Sequence, residues 1–135
     1  MPANAFFDSS VLLYILSKQD PRSAITGELL LDGGIISVQV LNEFANVARR
    51  KLKMDWNEIE HAMAAVRKLC DAVIPITEVV HESALQIARR YRFQFYDSLI
   101  VAAALKVGAE ILYIEDLQDG QKIGSLTIRN PFLAG

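Results

Sequence analysis

Four acidic residues of this chain fall beside predicted strand ends. Asp8 follows the apolar segment AFF, Asp116 follows EILYI, and Glu43 and Asp97 lie near the starts of predicted helices. Carboxylates within a few ångströms of one another repel and take up protons unless a cation neutralises them. Oxygen ligands of this kind suit Mg²⁺ or Mn²⁺. Either ion can activate a water molecule and stabilise the leaving oxygen when a phosphodiester bond is hydrolysed.

The chain offers no comparable set of nitrogen or sulfur ligands. Its two histidines, His61 and His81, lack the spacing of metal ligands, and Cys70 is the only cysteine. Zinc more often recruits these residue types, and a lone cysteine builds neither a zinc site nor a disulfide framework. We interpret both histidines as ordinary helix residues and Cys70 as a small core residue.

The elements that must position the acids alternate along the chain. Strands are predicted at residues 5–7, 35–37, 73–76 and 110–114, with residues 126–132 as an edge strand. Helices are predicted from about residue 10, after the turn at residues 20–21, and at residues 40–52, 57–69, 80–91 and 98–106. The alternation predicts one α/β domain over residues 1–135. It would have three layers, with a central, mostly parallel sheet of four to five strands flanked by helices.

Sites in such sheets form outside the carboxyl ends of the strands. We place Glu43 in the first turn of the helix after the strand IIS, and Asp97 at the start of the helix over residues 98–106. Both then reach the same edge as Asp8 and Asp116. The predicted site therefore contains four acids, with Asp119 as a candidate fifth.

Each acid also has a structural interpretation. Asp8 and Asp97 are good helix N-caps, Glu43 is a favourable first-turn anion, and Asp116 with Asp119 suits a polar turn. Four unrelated caps and turns need not fall at one edge of one sheet, however. Their common location favours a shared site.

Charge gives no direct sign of a nucleic-acid partner. The net charge is −2, whereas nucleic-acid-binding domains usually carry an excess of Lys and Arg. Setting the four acids aside leaves a formal charge of +2, which makes RNA an admissible partner. Arg49 and Arg50 are candidates to contact phosphates or balance the acids, and helical spacing places Asn46 and Arg50 on the face of Glu43.

The apolar segments suggest partners rather than a membrane. None reaches the ~20 residues of a membrane span, and no signal-peptide pattern precedes Phe6. We expect a soluble cytoplasmic protein, in keeping with its single cysteine. Hydrophobic residues make up 52% of the chain, which is enough to leave apolar surface for a homodimer.

Four segments resemble the motifs of the PIN-domain ribonucleases, particularly the VapC-type toxins of bacterial and archaeal toxin–antitoxin pairs. They are FFDSSVLLYIL, VLNEFANVARRK, YDSLIVAAAL and YIEDLQDG, and they match in order and spacing over almost the whole chain. The resemblance implies a parallel sheet flanked by helices and Mg²⁺ or Mn²⁺ in the acidic pocket. It also implies endonucleolytic cleavage of RNA, a homodimer and inhibition by a small cognate antitoxin.

The resemblance also assigns roles to the residues of the site. Asp8, Glu43 and Asp97 correspond to metal ligands of the catalytic centre, and Asp116 to a usually weaker fourth acid. Ser9 or Ser10 matches the small hydroxyl residue that follows the first Asp and supports a metal-bound water. Asn46 is a further supporting candidate from its helix face alone, which it shares with Glu43.

The fourth motif departs from the commoner family pattern. Ile114 stands where Thr or Ser is frequent, and Gly120 stands where an aromatic residue often follows. Asp116 and Asp119 therefore both remain candidates for the last position.

Two other classes compete with a nuclease. Haloacid-dehalogenase-like phosphotransferases also place an Asp after the first strand, but they use a second Asp two residues later, where this chain has Ser10. A non-catalytic PIN-fold domain that binds RNA or a partner would have little reason to retain all four acids. A metal-dependent ribonuclease is therefore the preferred prediction.

Overall fold

The computed structural model describes residues 4–133, which form strands and helices in alternation. The strands are β1 (Ala5–Phe7), β2 (Ile35–Ser37), β3 (Ala72–Ile74), β4 (Ile111–Tyr113), β5 (Lys122–Ile123) and β6 (Leu126–Arg129). The helices are α1 (Ser9–Leu12), α2 (Pro21–Leu29), α3 (Val38–Arg50), α4 (Trp56–Leu69), α5 (Glu78–Tyr91) and α6 (Phe95–Lys106). Short 3₁₀ turns, Leu13–Leu16 and Leu30–Asp32, continue α1 and α2.

The strands form one sheet in the order β3-β2-β1-β4-β6-β5. All neighbouring pairs are parallel except β5 and β6, which are antiparallel. The α/β prediction is confirmed, but the sheet has six strands within residues 4–133 rather than four or five. The predicted edge strand near residue 126 is β6, and it lies inside the sheet because the two-residue strand β5 pairs along its outer side.

The strand order reverses direction at β1. The chain moves outward from β1 to β2 and β3, and then returns to place β4 on the opposite side of β1. Since crossovers between parallel strands are almost always right-handed, this reversal puts the later helices on the opposite face from the earlier ones. The carboxyl ends of β1 and β4 therefore flank the crevice in which such sheets usually bind ligands.

The core fills the space between sheet and helices with apolar side chains. Phe6, Ile36, Leu112 and Ile128 on the strands are fully buried. Helix α6 is buried along most of its length, from Ser98 to Ala104. A helix that is apolar on nearly all sides belongs to a core, and none of the helices in residues 4–133 combines the length and apolar character needed to cross a membrane.

Helices α3 and α6 begin earlier than the apolar pattern predicts, and this changes the local position of two acids. Helix α3 begins at Val38 because Ser37 caps it by accepting a hydrogen bond from the backbone N–H of Val40 at 3.3 Å. Glu43 consequently lies in the second turn of α3, so its predicted place in the first turn is wrong. Helix α6 begins at Phe95, which places Asp97 in its first turn.

The two histidines and the cysteine have the ordinary positions that the sequence predicts. His61 and His81 are exposed residues of α4 and α5, as predicted. Cys70 follows α4, is partly buried against the core, and has its pKa raised to about 11 chiefly by burial. A thiol with such a pKa is protonated at neutral pH and is a poor nucleophile.

Candidate active site

Asp8 is the most buried acid of the site. It directly follows β1, and its backbone N–H donates to the carbonyl of Tyr113 in β4 at 2.9 Å, so it sits where the two strands end side by side. Its Oδ2 accepts a hydrogen bond from the backbone N–H of Ser10 at 3.1 Å and caps α1. The cap interpretation is thus correct for one carboxylate oxygen. The other, Oδ1, is buried and has no hydrogen-bond partner among the described residues.

The surroundings of Asp8 oppose its ionisation. Only 1% of the residue is exposed, and its pKa is raised from 3.8 to about 7, chiefly by burial. The negative charges of Glu43 and Asp97 contribute to this rise, and the hydrogen bonds from Ser10 partly oppose it. A buried carboxylate with an unpartnered oxygen and acidic neighbours is a position that a cation would stabilise.

Glu43 is held in one orientation by two hydrogen bonds. Ser9 Oγ donates to Glu43 Oε1 at 2.8 Å, and Gln39 Nε2, one helical turn earlier, donates to Oε2 at 3.2 Å. Ser9 follows Asp8 directly, so α1 and α3 are joined beside the acid. These donors leave the lone pairs on the far sides of the carboxylate available, because each oxygen can accept more than one bond.

Asp97 is not the N-cap of α6. That position belongs to Gln94, whose Oε1 accepts a hydrogen bond from the backbone N–H of Asp97 at 3.1 Å. The pKa of Asp97 is raised to about 6, chiefly by burial and also by the negative charges of Glu43 and Asp116. The carboxylate of Asp97 is therefore free of the capping role and lies among the other acids.

The structure separates the two candidates for the fourth acid. Asp116 lines the same cleft as Glu43 and Asp97. Asp119 does not line it; its Oδ1 accepts a hydrogen bond from the backbone N–H of Asn130 at 2.9 Å and so ties the segment between β4 and β5 to the end of β6.

Glu115 is a cleft residue outside the predicted set of acids. Its backbone N–H donates to Ser10 Oγ at 3.1 Å, and its carboxylate accepts from the Tyr14 hydroxyl at 2.9 Å. Arg22 lies 3.5 Å away, stacks its guanidinium 4.3 Å from the centre of the Tyr14 ring, and also pairs with Asp20. The available signal was its position directly after the same strand that presents Asp116.

The acids lie in a cleft of about 550 Å³. Besides the acids Glu43, Asp97, Glu115 and Asp116, it is lined by Ser9, Ser10, Leu13, Tyr14, Ser17, Asn46, Val47, Lys51, Leu52 and Gln94. Asp8 lies beneath this surface, next to Ser9. The structure thus brings Asp8, Glu43, Asp97 and Asp116 to one edge of the sheet, as predicted.

A family model for the PIN domain matches residues 5–118. This chain belongs to the PIN domain family. The matched segment contains all four acids and ends before Asp119. A comparison with curated protein sequences finds no significant match.

Three solved structures resemble this PIN domain. The Sarcin-Ricin loop cleaving toxin VapC20 of Mycobacterium tuberculosis is 23% identical, with a TM-score of 0.68 over 83% of this chain and 89% of that one. A toxin–antitoxin complex from Klebsiella pneumoniae is 19% identical, with a TM-score of 0.72 over 95% and 98%. VapBC2 from Rickettsia felis, bound to a promoter DNA fragment, is 16% identical, with a TM-score of 0.68 over 93% and 96%. At these identities the likeness establishes the fold.

The acids of this PIN domain suit a hard divalent cation. They offer only oxygen ligands, and Asp8 Oδ1 is a buried acceptor that lacks a partner among residues 4–133. In the present arrangement, no three acidic, histidine or cysteine side chains of the described residues are grouped closely enough to hold a metal ion. Mg²⁺ is often held through one or two carboxylates, with water and phosphate oxygens completing its coordination. The residues therefore fit an ion bound through few direct protein contacts.

The basic side chain that lines the cleft is not one of the two predicted arginines. Arg49 stacks 5.1 Å from the centre of the Trp56 ring and donates to the carbonyl of Met54 at 3.0 Å. Arg50 is exposed but does not line the cleft. Arg50 shares a helix face with Glu43 but lies two helical turns away, about 10 Å along the axis. Sharing a face therefore does not bring Arg50 to the acids. Lys51, where α3 ends, lines the cleft instead.

Proposed function

We propose that this PIN-domain protein is a Mg²⁺- or Mn²⁺-dependent endoribonuclease that hydrolyses phosphodiester bonds of RNA. The observation that carries the proposal is the buried, unpartnered Oδ1 of Asp8 beside Glu43 and Asp97. A cluster of this kind is unfavourable in a metal-free protein and becomes favourable when a cation is held there. The family match, and the similar fold of a Sarcin-Ricin loop cleaving toxin, support an RNA substrate.

The proposed mechanism assigns separate tasks to the residues of the cleft. Asp8, Glu43, Asp97 and Asp116 would hold the metal, one or two of them by direct contact. When bound, Mg²⁺ or Mn²⁺ would lower the pKa of a water molecule and stabilise the leaving oxygen of an in-line displacement. Ser9 keeps the Glu43 carboxylate oriented through its 2.8 Å hydrogen bond. Lys51, which lines the cleft, would contact an RNA phosphate.

We also propose that the protein is the toxin of a type II toxin–antitoxin module. Similar folds occur in a toxin–antitoxin complex and in VapBC2, and the similarity extends over more than nine tenths of this chain in both cases. The proposal includes a cognate antitoxin, a homodimer and a cytoplasmic location. A neighbouring reading frame for a small protein with a DNA-binding N-terminal part and an amphipathic C-terminal segment would support it. The absence of such a frame would remove the toxin role without affecting the nuclease.

A cleavage assay on RNA tests the enzymatic part of the proposal. We expect cleavage with Mg²⁺ or Mn²⁺ and none after addition of EDTA, because neither His nor Cys is available among the described residues of the cleft to activate water. Full activity in EDTA would refute the mechanism. Hydrolysis of phosphomonoesters alone would indicate a phosphatase, and RNA binding without turnover would indicate a non-catalytic PIN domain.

A further inference from the structure

A second groove lies beside the catalytic cleft, and we call it the amide groove. Its volume is about 370 Å³, and it is lined by Gln39, Asn42, Glu43, Asn46 and Tyr96. Glu43 and Asn46 also line the catalytic cleft. The two depressions therefore meet along the side chains of these two residues.

The same two helices build both depressions. On α3, Gln39, Asn42, Glu43 and Asn46 are spaced by three and four residues, so they share one face of the helix. On α6, Tyr96 lines the amide groove, whereas the next residue lines the catalytic cleft. A strand of nucleic acid with one phosphate among the acids would thus find the amide groove directly across Glu43.

The chemistry of the amide groove differs from that of the cleft. Asn42 and Asn46 are exposed, and neither side chain has a hydrogen-bond partner within residues 4–133. Their amides can both donate and accept. Tyr96 is 52% exposed, and its ring meets the ring of Phe95 edge to face, with 5.9 Å between centres. Unoccupied amides beside an exposed aromatic ring suit a nucleobase, which stacks by its face and hydrogen-bonds by its edge.

No Lys or Arg lines the amide groove as the structure describes it, so it offers little attraction for a phosphate. We propose that the amide groove binds one unpaired nucleobase of the RNA strand whose adjacent phosphate lies in the catalytic cleft. The inference rests on the proposed ribonuclease function and narrows its substrate to single-stranded RNA, because the edge of a paired base is already occupied by its partner. Tyr96 supplies stacking, and Asn42 and Asn46 distinguish between bases.

Binding of RNA to a protein that does not cleave it tests the groove separately from catalysis. We would use Asp8→Asn as the background and measure fluorescence anisotropy with single-stranded oligomers of U, C or A in Mg²⁺. Adding Tyr96→Ala should raise Kd about 10-fold or more for every oligomer, because stacking depends little on the base. Tyr96→Phe, which keeps the ring, should stay within about twofold of the background.

Asn42→Ala tests base selection. It should change the ratio of Kd values among the three oligomers, while Asn57→Ala, which removes an exposed amide from α4, should leave that ratio unchanged. In the enzyme with Asp8 restored, Asn42→Ala should also alter the base preference at one position beside the cleaved bond. Asn42 and Asn57 are both exposed, so each variant is expected to melt at the same temperature as the protein from which it was made.

The outcomes separate this inference from the proposed function. RNA cleavage with unchanged Kd values and base preference in both Tyr96→Ala and Asn42→Ala would overturn the nucleobase subsite and leave the ribonuclease intact. If these variants bind RNA as before but shift from dimer to monomer in sedimentation, the groove is a contact between protein chains. That result would also overturn the nucleobase subsite. Neither binding nor cleavage by the unsubstituted protein would refute the ribonuclease, and the subsite with it.

Discussion

Replacing Asp8 with Asn should stabilise the metal-free protein, and the gain should grow with pH. In the folded protein the pKa of Asp8 is raised from 3.8 to about 7, mainly by burial. The folded state therefore binds a proton that the unfolded state has already released between these two values. Stability is lost as pH rises from about 4 to about 7 and changes little above that. The Asn side chain is uncharged throughout this range, so the substitution removes this loss.

The structure sets the size of the effect. A rise in pKa from 3.8 to about 7 corresponds to about 4 kcal/mol of lost stability once Asp8 is fully ionised, at about 1.4 kcal/mol for each tenfold change in proton affinity. Asn also keeps an oxygen that can accept the 3.1 Å hydrogen bond from the backbone N–H of Ser10. The variant should thus match the original protein near pH 4 and exceed its stability by up to about 4 kcal/mol at pH 8.

Urea unfolding in EDTA at several pH values between about 4 and 8 measures this difference. Asp119→Asn is the matched control, because Asp119 is exposed and its side chain, among the described residues, accepts a hydrogen bond only from the backbone N–H of Asn130. The control should show no growing difference. A gap between Asp8→Asn and the original protein that stays constant across this pH range would refute the reasoning, since burial would then not be opposing the ionisation of Asp8.

Three further substitutions test other parts of the cleft. Asp97→Asn should leave the metal-free protein at least as stable as the original but abolish cleavage. It should also reduce the stabilisation by Mg²⁺, which is about 1 to 3 kcal/mol in the original protein at Mg²⁺ concentrations of roughly 10 to 100 times Kd. An active variant with an unchanged Mg²⁺ shift in thermal melts would contradict this. Ser9→Ala should cost about 1.5 kcal/mol in urea unfolding and slow cleavage, because it frees Glu43 from its 2.8 Å hydrogen bond. Tyr14→Phe should cost about 1 kcal/mol through the lost bond to Glu115, whereas Tyr96→Phe, with its exposed ring, should change the unfolding free energy little.

The alternation of strands and helices could be predicted because both signals are local. A short apolar segment between turn residues indicates a buried strand, and parallel strands share one carboxyl edge. That was sufficient to bring Asp8 and Asp116 together. Strand β5 was missed because two residues, Lys122 and Ile123, carry no pattern of their own; only their pairing with β6 makes them a strand.

The first residues of the helices are harder to predict, because apolar periodicity shows which residues a helix buries and not which residue caps it. Asp97 precedes an apolar run and is a preferred capping residue, yet Gln94 caps the helix three residues earlier. Gln is not among the usual caps, so the sequence favours the wrong residue. Glu115 was overlooked for a different reason. Its importance comes from Tyr14 and Arg22, which are distant from it along the chain.

The hydrogen bonds of the site divide the acids into held and unheld groups. Asp8 is fixed by the backbone of α1, and Glu43 by Ser9 and Gln39. The carboxylates of Asp97 and Asp116 have no hydrogen-bond partner within residues 4–133. Repulsion among ionised acids favours separation when no cation is present, and only the unheld pair can yield to it without breaking hydrogen bonds. The held pair would then fix where a metal binds, while the unheld pair adjusts to the ion and to the substrate.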